Sequence, residues 1–376
     1  MKGLVVLMLL ALTSLACGTP GGSQVAASPS TTTSSSPTQP TSSALVLVPS
    51  SDGKNTVVED ITDPSHPVIV YTVPTVLRGA RFISAKEIGY TTTTNADSPT
   101  EGVTTIWRMK LDDMRPAQIA TLQGDAIDLA WSPDGSSMAF IADSGAHRLW
   151  LKSGTGDPRT ITPLIPVYGR EYISTDQITV AFSHDGQFLL MVDTVVTGDG
   201  TDVRATFQIR QASDGRLLWV PPSALKPNAF NTTMAVWSHM TDRLYFQDPD
   251  PVAGKTGIHI WQPLHEVAIL AGIARWTSPS ISPDDRFVAY ETVGTDGKPR
   301  VAVRDLGSES LRLFPQVIGQ PVMLSDVELI ERHFVPQIAG APGPALLPDR
   351  YYALNLKTNA ETLLPSNFQP MDFWVG

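Results

Sequence analysis

From residue 44 onward the chain is built of short runs that alternate apolar and polar positions, each bounded by Gly, Pro, Asp or Ser. A period of two is the signature of half-buried β-strands, and apolar spacing of the helical kind is almost absent. One run sets the frame. Leu129 to Asp143 reads LAWSPDGSSMAFIAD, a strand, a tight turn and a second strand. In the turn, proline presets φ, aspartate bonds its own backbone and glycine takes the left-handed position. The run recurs at Ala181–Asp193, Val236–Asp248 and Ser280–Glu291. Its anchors at 131, 182, 237 and 281 lie 44 to 55 residues apart. That spacing is the period of four-stranded propeller blades.

A second pair of strands follows each first pair. Copies begin at Thr56, Thr105, Arg148, Thr206, Ile258, Arg300 and Tyr351, which makes seven units. The first unit starts at Ala44-Leu-Val-Leu-Val48 and lacks an innermost strand. The last residues, Gln369 to Gly376, form an extended apolar segment with no partner of their own. The pattern therefore predicts an all-β, seven-bladed propeller whose C-terminal strand completes blade one. Such closure removes open sheet edges. Six blades is the alternative, if units one and seven merge.

The Ser-Pro-Asp-Gly turns and third strands such as Ile106-Trp-Arg-Met-Lys-Leu111 resemble the WD40-like or TolB-type (PD40) β-propeller repeat, over about residues 44 to 376. The resemblance implies the fold and leaves the ligand open. TolB itself carries an α/β domain ahead of its propeller, and no stretch of this chain matches that domain.

The N-terminal segment changes the picture of where the propeller works. Met1-Lys2 is a short positive region, and Leu4 to Leu12 is an apolar run too short to span a bilayer. Ser14-Leu-Ala-Cys17-Gly18 then resembles a bacterial lipoprotein signal, cleaved before Cys17 and lipidated on it. That family prefers Leu three residues before the cysteine, where this chain has Ser14. A plain secretory signal is the alternative. Cys17 is the single cysteine, so no internal disulfide forms. Residues 18 to 43 are nearly all Ser, Thr, Pro and Gly. Such a stretch cannot bury enough apolar area to offset its ordering entropy, and it reads as a tether with ends about 30 Å apart. The organisation expected is residues 1–16 as signal, 17–43 as lipidated cysteine and tether, and 44–376 as propeller. The location expected is the outer side of a bacterial cell membrane.

The formal charge of −10 argues against nucleic acid and against a polybasic membrane patch. In a four-stranded blade the first-to-second and third-to-fourth turns share one face of the ring. The second-to-third turns and blade-to-blade links share the other, called here the second face. The Ser-Pro-Asp-Gly turns belong to the first face and read as structural. The long insertions, Thr92–Gly102, Thr194–Val203, Pro249–Gly257 and Pro336–Pro348, fall on the second face, as do the links Pro163–Asp176 and Pro221–Thr232. Loops held on a rigid scaffold commonly carry function. The binding-face candidates there are Arg78, Arg81, Asp125, Tyr168, Arg170, Glu171, Tyr172, Asn228, Phe230, Arg275 and Trp276. An arginine, aromatic and acid mixture is typical of a protein hot spot or a glycan-binding rim. The alternative is that these residues pair with each other at blade junctions.

Enzyme signatures are lacking: there is no Gly-x-Ser-x-Gly and no His-Glu-x-x-His. Gly254-Lys-Thr256 has neither the upstream glycine nor the long helix of a P-loop. Asp193, Asp199 and Asp202 suggest a hairpin tip rather than calcium, and His184 and His239 occupy the proline slot of the repeat turn. No catalytic residue, metal site or cofactor is expected. The function expected is a monomeric, lipid-anchored envelope module that binds a protein or glycan. The alternative is a channel-mouth hydrolase or lyase acting on a sugar or lactone.

Overall fold

The structure is a computed structural model. It describes residues 43–94, 102–143, 147–161, 179–196, 203–220, 235–247, 257–263, 265–272, 277–314, 319–333, 350–365, 368 and 370–375. Every regular element among them is a strand. Blade 1 takes β1 (Ala44–Pro49), β2 (Thr56–Asp60) and β3 (Val68–Val73). Blade 2 is β4 (Arg78–Ser84), β5 (Glu87–Thr94), β6 (Val103–Lys110) and β7 (Pro116–Gln123). Blade 3 is β8 (Asp125–Trp131), β9 (Ser137–Asp143), β10 (His147–Ser153) and β11 (Arg159–Ile161). Blade 4 is β12 (Thr179–Phe182), β13 (Phe188–Val196), β14 (Val203–Gln211) and β15 (Leu217–Trp219). Blade 5 is β16 (Ala235–Trp237), β17 (Leu244–Gln247), β18 (Gly257–Gln262) and β19 (His265–Gly272). Blade 6 is β20 (Thr277–Ile281), β21 (Phe287–Val293), β22 (Pro299–Asp305) and β23 (Leu311–Leu313). Blade 7 is β24 (Gly319–Met323), β25 (Glu328–His333), β26 (Arg350–Asn355) and β27 (Glu361–Leu363). Finally β28 (Asp372–Val375) returns to blade 1, whose order is β28-β1-β2-β3.

The blades are seven, each four-stranded, and the six-bladed alternative is excluded. Closure follows the expected route. Leu45 pairs with Trp374 and Val46 with Phe373, both antiparallel. Packing shows why the ring closes. Both faces of each blade are apolar, so alternate residues feed different neighbours. Leu45 and Leu47 pack with Ile88 and Met109 of blade 2. Ala44, Val46 and Val48 pack with Ile330 and Ala353 of blade 7. Seven such clusters fill seven blade junctions, and the core is this ring of interfaces. Close approach is built in at Gly89, where an added Cβ would lie 2.2 Å from Nε1 of Trp131.

The repeated turns explain themselves. The Ser132 hydroxyl donates to Asp134 Oδ1 at 2.6 Å and accepts from the Ser137 amide at 2.9 Å. The Ser136 amide caps the same carboxylate, and Gly135 sits at φ +66°. These bonds to the ionised form, the Ser132 hydroxyl foremost, bring Asp134 down to about 2. Ser183 with Asp185, and Ser282 with Asp284, repeat the arrangement. Asp285 takes the glycine position with φ +57°. Successive turns also interlock. The Asp185 amide bonds Asp242, and the His239 amide bonds Asp285. First-face turns are thus committed to structure.

Some loop boundaries differ from those read in the sequence. Thr92–Thr94 and Thr194–Val196 continue β5 and β13, with pairing through Thr94 and Val103 and through Val196 and Val203. Threonine and valine favour the pleated surface, and cross-strand pairs carry the ladder outward.

Candidate functional site: the channel seam and the second face

Innermost strands of neighbouring blades lie side by side around the axis, and side-chain oxygens on one capture backbone amides on the next. Asp372 of β28 accepts from the Phe82 amide at 2.7 Å. Asp128 of β8 accepts from the Val180 amide at 2.9 Å, and Ser280 of β20 from the Met323 amide at 2.9 Å. Arg81 of β4 joins two of these points. Its Nη1 donates to the Met371 carbonyl at 2.8 Å, and its Nη2 lies 3.2 Å from Asp128 Oδ1. One side chain therefore ties blades 1, 2 and 3 together at the axis.

The seam carries perturbed acids. Desolvation pushes Asp372 up to about 6, against the pull of Arg81 and the Phe82 amide, with the Asp128 charge adding to the rise. Desolvation also raises Asp128, opposed by Arg81 and two backbone amides. The carboxylates already accept bonds from the protein, so the arrangement is first a set of blade-to-blade struts. Proton exchange at Asp372 near pH 6 is the chemistry it retains.

Other sequence candidates divide clearly. Arg78 opens β4 at the second-face end and is exposed. Asp125 opens β8 at the same end, paired in register with Asp143. Arg81 sits three residues deeper in β4, in the seam. Cys17, Tyr168, Arg170, Glu171, Tyr172, Asn228, Phe230, Arg275 and Trp276 lie outside the described residues, as do Pro163–Asp176 and Pro221–Thr232.

Beside Arg78, blade 2 presents a built surface. Thr92, Thr93 and Thr94 face Thr105, Thr104 and Val103 across β5 and β6. Trp107 stacks beside Tyr90 at 6.4 Å between ring centroids, and its Nε1 donates to Thr92 Oγ1 at 2.8 Å. Trp107 was not among the sequence candidates. Its signal was available: it pairs with Tyr90 two positions from the exposed Thr92, on the end of the hairpin nearest the second face.

One cluster has metal-ligand chemistry. Glu331 and His333 on β25 and Glu361 on β27 each offer a ligand atom, and those atoms all lie within 4.8 Å of one another.

No protein-family model matches the chain, and no curated protein matches it in sequence. Among solved structures, TolB from Acinetobacter baumannii is 16% identical, with 75% of this chain and 65% of that chain covered and a TM-score of 0.42. The β-propeller domain of the trilobed protease from Pyrococcus furiosus is 13% identical, with 76% and 91% covered and a TM-score of 0.47. The acylaminoacyl peptidase of Pyrococcus horikoshii is 14% identical, with 78% and 52% covered and a TM-score of 0.48.

Proposed function

We propose that the chain is a lipid-anchored module of the bacterial cell envelope that binds a protein or glycan through the second face of its propeller. The observation that carries this reading is an asymmetry between the faces. Turns on the first face are bonded to each other, whereas the second face of blade 2 extends a hairpin bearing a threonine ladder and Trp107, with exposed Arg78 of β4 beside it. Arginine and tryptophan beside hydroxyl groups suit both protein hot spots and sugar faces. The tether and Cys17 support placement at the membrane, where more than one acyl chain makes a stable anchor.

The test is a pull-down from envelope extract, with a glycan array, using the detergent-solubilised full chain. The control carries Arg78→Ala, Trp107→Ala, Tyr168→Ala and Trp276→Ala. A partner captured by the wild type and lost in the control supports the reading. Equal capture by both proteins refutes it. Cys17→Ser is expected to move the protein from membranes to the soluble fraction with unchanged folding, and sedimentation with membranes would refute the anchor.

The channel-mouth enzyme is favoured by one observation, the raised acids Asp128 and Asp372 around Arg81. Both are engaged by backbone amides, which makes binding the stronger reading. A hydrolase activity lost in Asp372→Asn with folding intact would reverse that order.

A further inference from the structure

Blade 7 holds a carboxylate that no described residue fully satisfies. Glu331 has 0% of its surface exposed, and it is the acid buried to that degree among the described residues. Its Oε1 lies 3.0 Å from Nε2 of His333. Its Oε2 is buried with no hydrogen-bond partner among the described residues. Glu361, from the outermost strand, adds a second carboxylate whose Oε1 is likewise buried and unpartnered. Burial raises Glu331, the bond to His333 opposes that rise, and the Glu361 charge adds to it. Two facing acids in an apolar blade junction cost free energy unless a cation or further donors compensate them. The one such partner for Glu331 within the cluster is the His333 imidazole.

The placement is set by the strand register. Glu331 and His333 are two apart on β25, so both point to one side of the sheet. Their cross-strand partners are Tyr352 and Arg350. Glu361 pairs with Leu354, the partner of Leu329. Leu329 and Leu354 pack against blade 6, so the cluster lies on the blade 6 side of blade 7. Tyr352 stacks on the His333 ring at 4.0 Å and 28°, which fixes the imidazole plane. His333 keeps 24% of its side-chain surface exposed, which leaves a way in from solvent.

We propose that Glu331, His333 and Glu361 form a zinc-type divalent metal site. One imidazole nitrogen and two carboxylate oxygens are a donor set that zinc accepts, whereas calcium and magnesium prefer oxygen alone. Legs of about 2.0–2.2 Å around a tetrahedral ion set ligand edges of roughly 3.3–3.6 Å. The 3.0 Å edge between His333 and Glu331 opens slightly to reach them, and the three ligand atoms, all within 4.8 Å of one another, close on the ion by side-chain rotation. The orphaned Glu331 oxygen is what separates this cluster from an ordinary acidic patch. A bound ion would neutralise both acids and tie the three-residue β27 to β25 across the strand between them. Tyr352 would hold the histidine ligand in line, as partners behind a metal ligand do.

The experiment uses the full chain, stripped with a chelator and titrated with Zn²⁺ by calorimetry, with metal content measured in parallel. One equivalent is expected to bind with a Kd of about 1 μM or tighter. The thermal midpoint is expected to rise with zinc. Glu331→Gln keeps the side-chain volume and removes the buried charge. Metal-free, this variant is expected to melt no lower than the wild type. Glu331→Gln and Glu361→Gln are each expected to weaken zinc binding tenfold or more. His333→Ala is expected to abolish stoichiometric binding. Three results overturn the proposal: no stoichiometric zinc in the wild type, wild-type affinity in the Glu331→Gln/Glu361→Gln double variant, or tighter binding of Ca²⁺ than of Zn²⁺.

Discussion

Two groups of acids sit inside this ring, and they are compensated in opposite ways. At the axis, Asp128 and Asp372 share Arg81 and receive backbone amides from Val180 and Phe82. In blade 7, Glu331 has His333 as its partner, and Glu331 and Glu361 each keep an oxygen without a partner among the described residues. The first group is complete within the chain and behaves as framework. The second leaves carboxylate oxygens that no described residue fills. The difference teaches that burial alone does not mark a functional acid. What matters is whether each lone pair finds a donor.

The comparison breaks most severely when the strand carrying Asp372 is removed. Deleting residues 370–376 takes away β28, its pairing with β1 and the Phe82 bond together. The expected loss is comparable with a whole domain's stability of about 5–15 kcal/mol. Thermal unfolding followed by circular dichroism would detect it, and an unchanged midpoint would overturn the closure model. Arg81→Ala comes next. It leaves two enclosed carboxylates without their cation. The expected cost is about 2–4 kcal/mol, toward the low side because the Arg81 side chain is 38% exposed. Urea denaturation would measure it, and pairing the change with Asp372→Asn should recover part of the loss.

The pH dependence sharpens the same contrast. Burial pushes Asp372 up to about 6 in the folded ring, above the ordinary carboxylate value of 3.8. The folded state therefore holds a proton that the unfolded state has released between those values. The stability that Asp372 contributes is fully present below about pH 4, is lost as pH rises through 6 and is gone above it, on the order of 2–3 kcal/mol. Asp372→Asn is expected to flatten most of that slope, the raised Asp128 leaving a remainder of the same sign. Denaturation midpoints from pH 4 to 7 test this, and an unchanged slope in the variant would remove Asp372 as its source. The smallest effect belongs to the framework turns: Ser282→Ala loses the bonds to Asp284 and the Phe287 amide, for about 1 kcal/mol.

What was legible in the sequence was what is local. The Ser132 and Asp134 turn closes over a few residues, so its chemistry appears as a motif and its recurrence as a fold. Closure by the tail was legible by counting strands, since blade 1 lacked one and the C-terminal segment had no partner. The Arg81 seam was not legible. Its partners lie 47 and 290 residues away, and the register that joins them is set by packing between blades. Arg81 therefore stood among surface candidates although its guanidinium is a strut. Glu331 and His333 had a visible signal, two ligand types at alternate positions of one strand. The third ligand, Glu361, comes from a strand whose register no local pattern fixes.

Closure by the last strand also sets a clock. Ala44 pairs with Val375, so the first strand of the propeller waits for residues 331 positions later in the chain. At about 5–20 residues per second, synthesis of that stretch takes on the order of half a minute. Throughout that interval blade 1 has its inner edge open, and the Phe82 amide has no Asp372 to meet. Completion of blade 1 thus waits on β28, and until that strand is made the ring has no closed seam between its first and seventh blades.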